Sequence, residues 1–313
     1  MASNYLQLCT ETQLYEFFAE FNGTEESVKN DVRQLKEWMK KQSHLPNIED
    51  DDWLTNFLLR CKNSIEKTKK IIDGYYTTRT SMPEVFQDRD SCIEKYPQFS
   101  QYFCFIPLPK LTPEGYRIFI FRISDAIKTG QPSNEDFIRQ TQLLFDYSMK
   151  VDKIRGAIFI YDFQNITLHL ITTMFPIVKK FITLTVKSSP LRYHQIYLLN
   201  MISALEPIIR FGKTLVKKEI SDRMVVWKGN PENLIDVLPK QSLPAIYGGI
   251  EKPIEELADL FHNDLKSKRD WFVLNENNKA GTSKKSAETS SSFGNGSATD
   301  YGMEGSFRKI CLD

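Results

Sequence analysis

Two short apolar segments separated by a helical one constrain the fold of this chain more than any other feature. Residues 156–163, Gly-Ala-Ile-Phe-Ile-Tyr-Asp-Phe, form a near-continuous apolar run, and residues 195–200 form a shorter one. Such runs are expected of strands that are buried on both faces of a sheet. The helical pattern of residues 167–187 lies between them, as a crossover joining parallel strands would. We therefore predict an α/β domain with a mostly parallel sheet.

An all-helical module is predicted to precede this domain and a disordered tail to follow it. Within residues 1–90 the apolar positions recur at helical spacing, as in Val28, Val32 and Leu35. From residue 275 onward Asn, Ser, Gly, Lys and Thr dominate, which is typical of disorder. We predict a helical module at 1–90, the α/β domain at 91–274 and a disordered tail at 275–313. Further patterns in the α/β domain predict strands at 115–123 and 224–227 and helices at 134–150, 205–223, 233–238 and 254–268.

Composition limits the partners and the compartment. The 313 residues carry a formal net charge of +1, so no global basic field favours nucleic acid. Five cysteines are scattered without a CxxC pair, which indicates reduced thiols in the cytoplasm. The first residues lack the pattern of a signal peptide, and no run approaches the roughly 18 apolar residues of a transmembrane helix. We expect a monomeric cytoplasmic protein with only transient, peripheral membrane contact.

Catalytic motifs do not emerge from the sequence. None of the four histidines has metal-ligand spacing, and neither a GxSxG elbow nor a GxGxxG loop occurs. Gly212-Lys213-Thr214 resembles the end of a phosphate loop but lies inside a predicted helix. Asp162 ends a strand, where a structural role is favoured over catalysis because no partner base accompanies it. We predict a non-catalytic protein without metal or cofactor. An undetected enzyme that uses Asp162 or His194 remains a competing hypothesis.

Three motifs of the α/β domain together resemble the CRAL-TRIO lipid-binding family. The segment from Arg155-Gly156 to Asp162 is similar to one family strand, with Asn165 where the family often has Gly. Pro190 and Arg192, followed by Ile196 and Asn200, are similar to a second block. Leu243-Pro244-Ala245-Ile246-Tyr247-Gly248-Gly249 is similar to a third. Residues 57–84 resemble the family's N-terminal helical module, and residues 108–118 resemble insect α-tocopherol-transfer-protein-like members.

The resemblance implies that the sheet and its flanking helices enclose a pocket for one lipophilic molecule, closed by a lid helix. The lid corresponds to residues 205–220, whose apolar stripe suits a helix with one face on a ligand. The family's usual proline in the lid is absent here, where Lys213-Thr214-Leu215-Val216 stands instead. An ordinary amphipathic core helix and ordinary core positions are the alternative interpretation. The resemblance and strand alternation assign these residues to the pocket: Tyr161, Phe163, Phe175, Val178, Ile182, Ile196, Leu198, Leu199, Leu205, Ile208, Gly212 and Val216.

Basic residues near the lid suggest contact with anionic membranes. Some family members grip phosphoinositide headgroups with residues of this kind, although His194 and Glu219 depart from the basic pattern of the tocopherol carrier. A solvated helix face is the alternative. We therefore expect a carrier of a tocopherol-like, retinoid-like or other lipid, with a phosphoinositide-reading membrane adaptor as the competing function. The candidate headgroup residues are Arg192, His194, Lys217, Lys218 and Arg223.

Overall fold

The computed structural model describes residues 5–128 and 132–281 and contains a five-stranded sheet. The strands follow the chain in order across the sheet. Strand β1 is antiparallel to β2, whereas β2 to β5 run parallel to their neighbours. The predicted α/β class and mostly parallel sheet are therefore confirmed. The strands are β1 Phe103–Leu111, β2 Tyr116–Ile123, β3 Gly156–Asp162, β4 Tyr193–Leu199 and β5 Met224–Val226.

Helices build the N-terminal module and both connections that keep the central strands parallel. Helix α8 joins β2 to β3 and helix α9 joins β3 to β4, so each is a crossover. The helices are α1 Glu11–Ala19, α2 Glu25–Lys41, α3 Asp51–Arg60, α4 Ile65–Ser81, α5 Pro83–Phe86, α6 Arg89–Glu94, α7 Tyr96–Ser100, α8 Asn134–Val151, α9 Leu168–Ser188, α10 Glu206–Thr214, α11 Lys218–Ser221, α12 Ile254–Ser267 and α13 Arg269–Asn275.

Side-chain caps fix where several of these helices begin. The Asp50 carboxylate accepts a hydrogen bond from the Trp53 backbone N–H and starts α3, where acidic residues favour the positive end of the helix dipole. The Thr167 hydroxyl accepts from the Leu170 N–H and starts α9, the helix that will cover the sheet. Within the described ranges 5–128 and 132–281, no helix is both long and apolar enough to cross a membrane.

The helical module is joined to the α/β domain through α8. The Asn56 side-chain amide donates to the Met149 carbonyl at 2.8 Å, and the Arg60 guanidinium donates to the Ser148 carbonyl at 2.8 Å. Asp146, also on α8, lies between Arg79 and Arg89. Its carboxylate is 3.2 Å from the Arg79 guanidinium and 2.7 Å from the Arg89 guanidinium. These buried polar contacts fix the module against the helix that flanks the sheet.

Two sequence-based predictions need correction. The single helix predicted at 205–223 is broken, because α10 ends at Thr214 and Lys217 has an extended backbone before α11 begins. The tail predicted to be disordered from residue 275 is ordered up to residue 281. There the Ala280 N–H donates to the Tyr76 carbonyl, and the Gly281 N–H donates to the His44 carbonyl. These backbone hydrogen bonds to the helical module hold residues 280 and 281 in place, and amino-acid composition cannot reveal such partners. The rest of the predicted tail lies outside the described residues.

Candidate functional site

An apolar cavity of about 250 Å³ lies between one face of the sheet and helices α9 and α10. This volume lies just below the roughly 300–1,000 Å³ that small-molecule sites in proteins occupy. Apart from Leu199, every residue predicted for the pocket lines the cavity. The strands supply its floor and the two helices its cover, which is the arrangement that the resemblance implies.

The alternation of strand β4 explains which of its residues reach the cavity. Ile196 and Leu198 line it, whereas Tyr197 between them lines a second cavity on the opposite face of the sheet. Leu199 follows Leu198 and is fully buried in the core. Successive side chains of a strand point to opposite faces, so the assignment of Leu199 to the pocket is wrong. An irregularity in the pairing of β3 with β4 also places Tyr193 in the cavity, three positions before Ile196.

Aromatic residues outside the predicted set complete the cavity wall. Phe103 and Phe105 come from β1, Phe121 from β2 and Phe137 from α8. The Phe121 and Phe137 rings meet edge to face, with centroids 5.9 Å apart, a geometry that aromatic pairs prefer. Phe121 could have been found from the alternation of the predicted strand at 115–123. The β1 residues could not, because no strand was predicted there.

Helix α10 covers the cavity with its apolar face. Leu205, Ile208 and Gly212 line the space beneath it, and Gly212 approaches α9 closely enough that a Cβ atom would lie 3.4 Å from the Ile182 Cδ1 atom. Beyond the break, Val216 and Ile220 also line the cavity. The cover therefore continues past the end of the helix.

The three sequence motifs meet at Asp162, at the end of β3. Its carboxylate accepts from the Tyr247 hydroxyl at 2.9 Å, the Asn200 side-chain amide at 2.6 Å and the Gln164 backbone N–H at 3.0 Å. Asn165 adopts the left-handed conformation expected in place of glycine, with φ of 69°. These bonds join the Tyr247 segment to two strand ends, which is a structural role for Asp162.

Replacing Tyr247 with Phe should lower the free energy of unfolding by about 1–2 kcal/mol. The substitution keeps the ring but removes the donor, which leaves a buried carboxylate oxygen of Asp162 short of one hydrogen bond. Urea denaturation measures the change. Tyr15→Phe, on an exposed side chain of α1, is the matched control and should be neutral. Equal stability of the two variants would contradict this role.

The predicted headgroup residues have varied surroundings. Arg192 forms an ion pair with Glu20 at the end of α1, and its guanidinium lies 4.8 Å from the centroid of the Phe21 ring. The hydrogen bond from Arg192 lowers the pKa of the Glu20 carboxyl. Lys218 pairs with Asp222 at 2.6 Å on the surface. Lys217 is exposed just before α11.

His194 lies on the face of the sheet opposite the apolar cavity. Its ring stacks on Tyr116 with centroids 3.8 Å apart, and it lines the second cavity. Burial lowers the pKa of His194, and the nearby positive charges of Arg223, Arg155 and Arg192 lower it further. A positive charge on His194 is therefore disfavoured, in part because Arg192 and Arg223 lie near it.

Comparison with known families fits this geometry. A model of the CRAL/TRIO domain matches residues 101–249, which include all five strands and the three motifs that meet at Asp162. This chain contains a CRAL-TRIO domain. A second model, described as a Pinta-like UBA domain, matches residues 24–96 in the helical module.

Curated relatives of this CRAL-TRIO protein carry the name alpha-tocopherol transfer protein-like. Those from Pongo abelii and Homo sapiens are 25% identical to it over 225 residues, and that from Mus musculus is 25% identical over 224 residues. Each match covers 70% of this chain and 64% of the relative, which is less than two thirds of the relative's length. The predicted similarity to insect members stays a prediction.

A solved structure also resembles this CRAL-TRIO protein. The crystal structure of Sfh5 aligns with a TM-score of 0.47 and 12% identity, over 79% of this chain and 90% of that one.

Proposed function

We propose that this CRAL-TRIO protein binds one small lipophilic molecule in the cavity beneath α10 and transfers it through the cytoplasm without catalysis. The apolar cavity carries the proposal, because its wall offers burial to a hydrocarbon skeleton. Burial of roughly 300 Å² of apolar ligand surface would contribute about 7 kcal/mol before the entropic cost of association. A tocopherol-like or retinoid-like molecule is one class of ligand for such a wall.

The absence of catalysis in this proposal is supported by the two residues that an enzyme would have used. Asp162 accepts three hydrogen bonds from the protein itself. His194 faces the other side of the sheet from the apolar cavity. A ligand in the cavity would therefore meet neither a free carboxylate at Asp162 nor the imidazole.

Native mass spectrometry after incubation with vesicles tests the proposal. The protein, stripped of lipid by solvent-exchange chromatography, is mixed with vesicles made from a natural lipid extract and then separated from them. We expect one lipophilic molecule per protein, identified after extraction. A protein that retains none, while a known lipid carrier loads in parallel, would contradict the proposal.

Transient docking on anionic membranes forms part of the proposed transfer cycle. Leu168 and Phe175 on α9 and Ile202 before α10 expose 66%, 45% and 40% of their surface. The Phe175 ring also contacts the Phe211 ring of α10, with centroids 5.7 Å apart. Lys217, next to α11, adds an exposed positive charge. Apolar side chains with cations beside them suit a surface that meets lipid headgroups.

Replacing Lys217 with Ala should weaken binding to phosphoinositide-containing vesicles about fivefold, because one cation near an anionic surface contributes about 1 kcal/mol. Cosedimentation at two salt concentrations measures this, and the effect should shrink at high salt. Lys41→Ala, at the end of α2, is the control. If the protein binds vesicles equally well when they contain no transferable lipid, the competing function of a phosphoinositide-reading membrane adaptor would be favoured. Salt-insensitive binding, equal in both variants, would contradict an electrostatic contact.

A further inference from the structure

Two tyrosines line the otherwise apolar cavity, and their hydroxyls have no hydrogen-bond partner among the described residues. Tyr161 lies on β3 and Tyr193 on β4. The ring of Phe159 contacts both, with centroids 5.9 Å from Tyr161 and 5.3 Å from Tyr193. Both tyrosines therefore belong to one aromatic cluster centred on Phe159.

Leaving these hydroxyls unpaired is costly, and among the described residues three other buried tyrosines pair theirs, although the buried Tyr96 hydroxyl has no partner. The hydroxyls of Tyr5, Tyr147 and Tyr247 donate to Pro107, Asp264 and Asp162 at 2.8, 2.6 and 2.9 Å. An unpaired hydroxyl in an apolar site costs about 1–3 kcal/mol. Burial raises the pKa of both Tyr161 and Tyr193, and the proximity of Tyr161 raises that of Tyr193 further. Both hydroxyls therefore keep their protons and can donate.

Charged groups are missing from the part of the cavity wall that the structure describes. Apart from the two tyrosines, the one hydroxyl in the lining is that of Thr185, which donates to the Phe181 carbonyl at 2.9 Å. A carboxylate or phosphate in this space would lack a counter-charge, and burying an unpaired ion is far more costly than burying a neutral oxygen.

We propose that Tyr161 and Tyr193 form a polar subsite that hydrogen-bonds to a hydroxyl or carbonyl oxygen of an uncharged, otherwise apolar lipid. This inference rests on the proposed function and narrows its ligand class. It selects neutral alcohols, phenols, aldehydes and ketones over fatty-acid anions and over pure hydrocarbons.

Displacement of the uncharged dye Nile red by three ligands with the same chain length tests the subsite. The ligands are 1-dodecanol, dodecanoate in its ionised form and 1-dodecene, each delivered from cyclodextrin. The wild type should bind dodecanol about tenfold more tightly than dodecanoate. The double variant Tyr161→Phe, Tyr193→Phe should lose about tenfold in dodecanol affinity, because two hydrogen bonds of typical strength are removed. Its affinity for dodecene should stay within about twofold.

Tyr197→Phe is the matched control, since this tyrosine lies on β4 but faces the opposite side of the sheet. It should leave all three affinities unchanged. Unchanged dodecanol affinity in the double variant, with Nile red still bound, would overturn the subsite and leave the proposed function standing. Dodecanoate bound as tightly as dodecanol would also overturn it. A wild type that binds neither the dye nor any of the ligands would overturn both proposals. If the double variant does not fold, the two single variants decide by the same criteria.

Discussion

Replacing Asp146 with Asn is expected to lower the free energy of unfolding by about 3–5 kcal/mol. The Asp146 carboxylate on α8 is buried between the guanidinium groups of Arg79 and Arg89, and it also accepts from the Tyr75 hydroxyl at 2.9 Å. Both arginines are almost completely inaccessible to solvent. Asn cannot balance their charge, so the variant would hold two buried cations without a counter-ion.

Urea denaturation, followed by circular dichroism, measures this loss. Asp90→Asn is the matched control, because Asp90 forms an ion pair with Arg269 in which both side chains are exposed. Exposed pairs contribute about 0–1 kcal/mol, so the control should remain near wild-type stability. If the two substitutions were equally mild, the buried ion pairs would not be holding the helical module against α8.

Replacing Gly212 with Trp should weaken ligand binding by about 100-fold or more. Gly212 lies on the cavity side of α10, where a Cβ atom would touch the Ile182 Cδ1 atom at 3.4 Å. A methyl group therefore just fits, whereas a larger side chain must extend into the space proposed for the ligand. An indole there would fill much of a cavity of about 250 Å³.

Nile red titration and lipid loading by native mass spectrometry both measure the effect. Gly212→Ala is the control, and it should bind normally and gain some helix stability, because Ala favours helical backbone more than Gly does. A melting curve of the Trp variant shows whether the fold is retained. A folded Trp variant that loads lipid like wild type would place the ligand elsewhere in the molecule.

The sequence revealed the parallel strands and most of the cavity floor, but not the first strand. Apolar runs of the right length identify β3, which is buried on both faces, and the end of β4, where Leu198 and Leu199 are buried. Pro107 and Pro109 interrupt the pattern of β1, since proline cannot donate to a sheet ladder. The structure places β1 at the edge of the sheet, where proline is tolerated. Phe103 and Phe105 were missed for this reason.

The hydrophobic periodicity of residues 205–220 did not reveal the break between α10 and α11. Val216 and Ile220 face the cavity as the residues of α10 do, so the apolar pattern continues where the helix does not. Gly212 and the β-branched Thr214 and Val216 lower helix propensity locally, which is a weak signal beside that pattern.

Tertiary ion pairs are harder still to foresee. Arg192 pairs with Glu20, and no spacing in the sequence announces a partner so distant.

The return of residues 275–281 to the helical module has a consequence for synthesis. The Arg79 guanidinium donates to the Asn275 carbonyl at 2.8 Å, and the Thr80 hydroxyl donates to the Ala280 carbonyl. The helical module thus lacks these partners until residues 275–281, about 200 positions after Arg79, have been translated. We expect nascent chains released before residue 275 to keep an incomplete helical module, and so to be favoured substrates for chaperones and proteases.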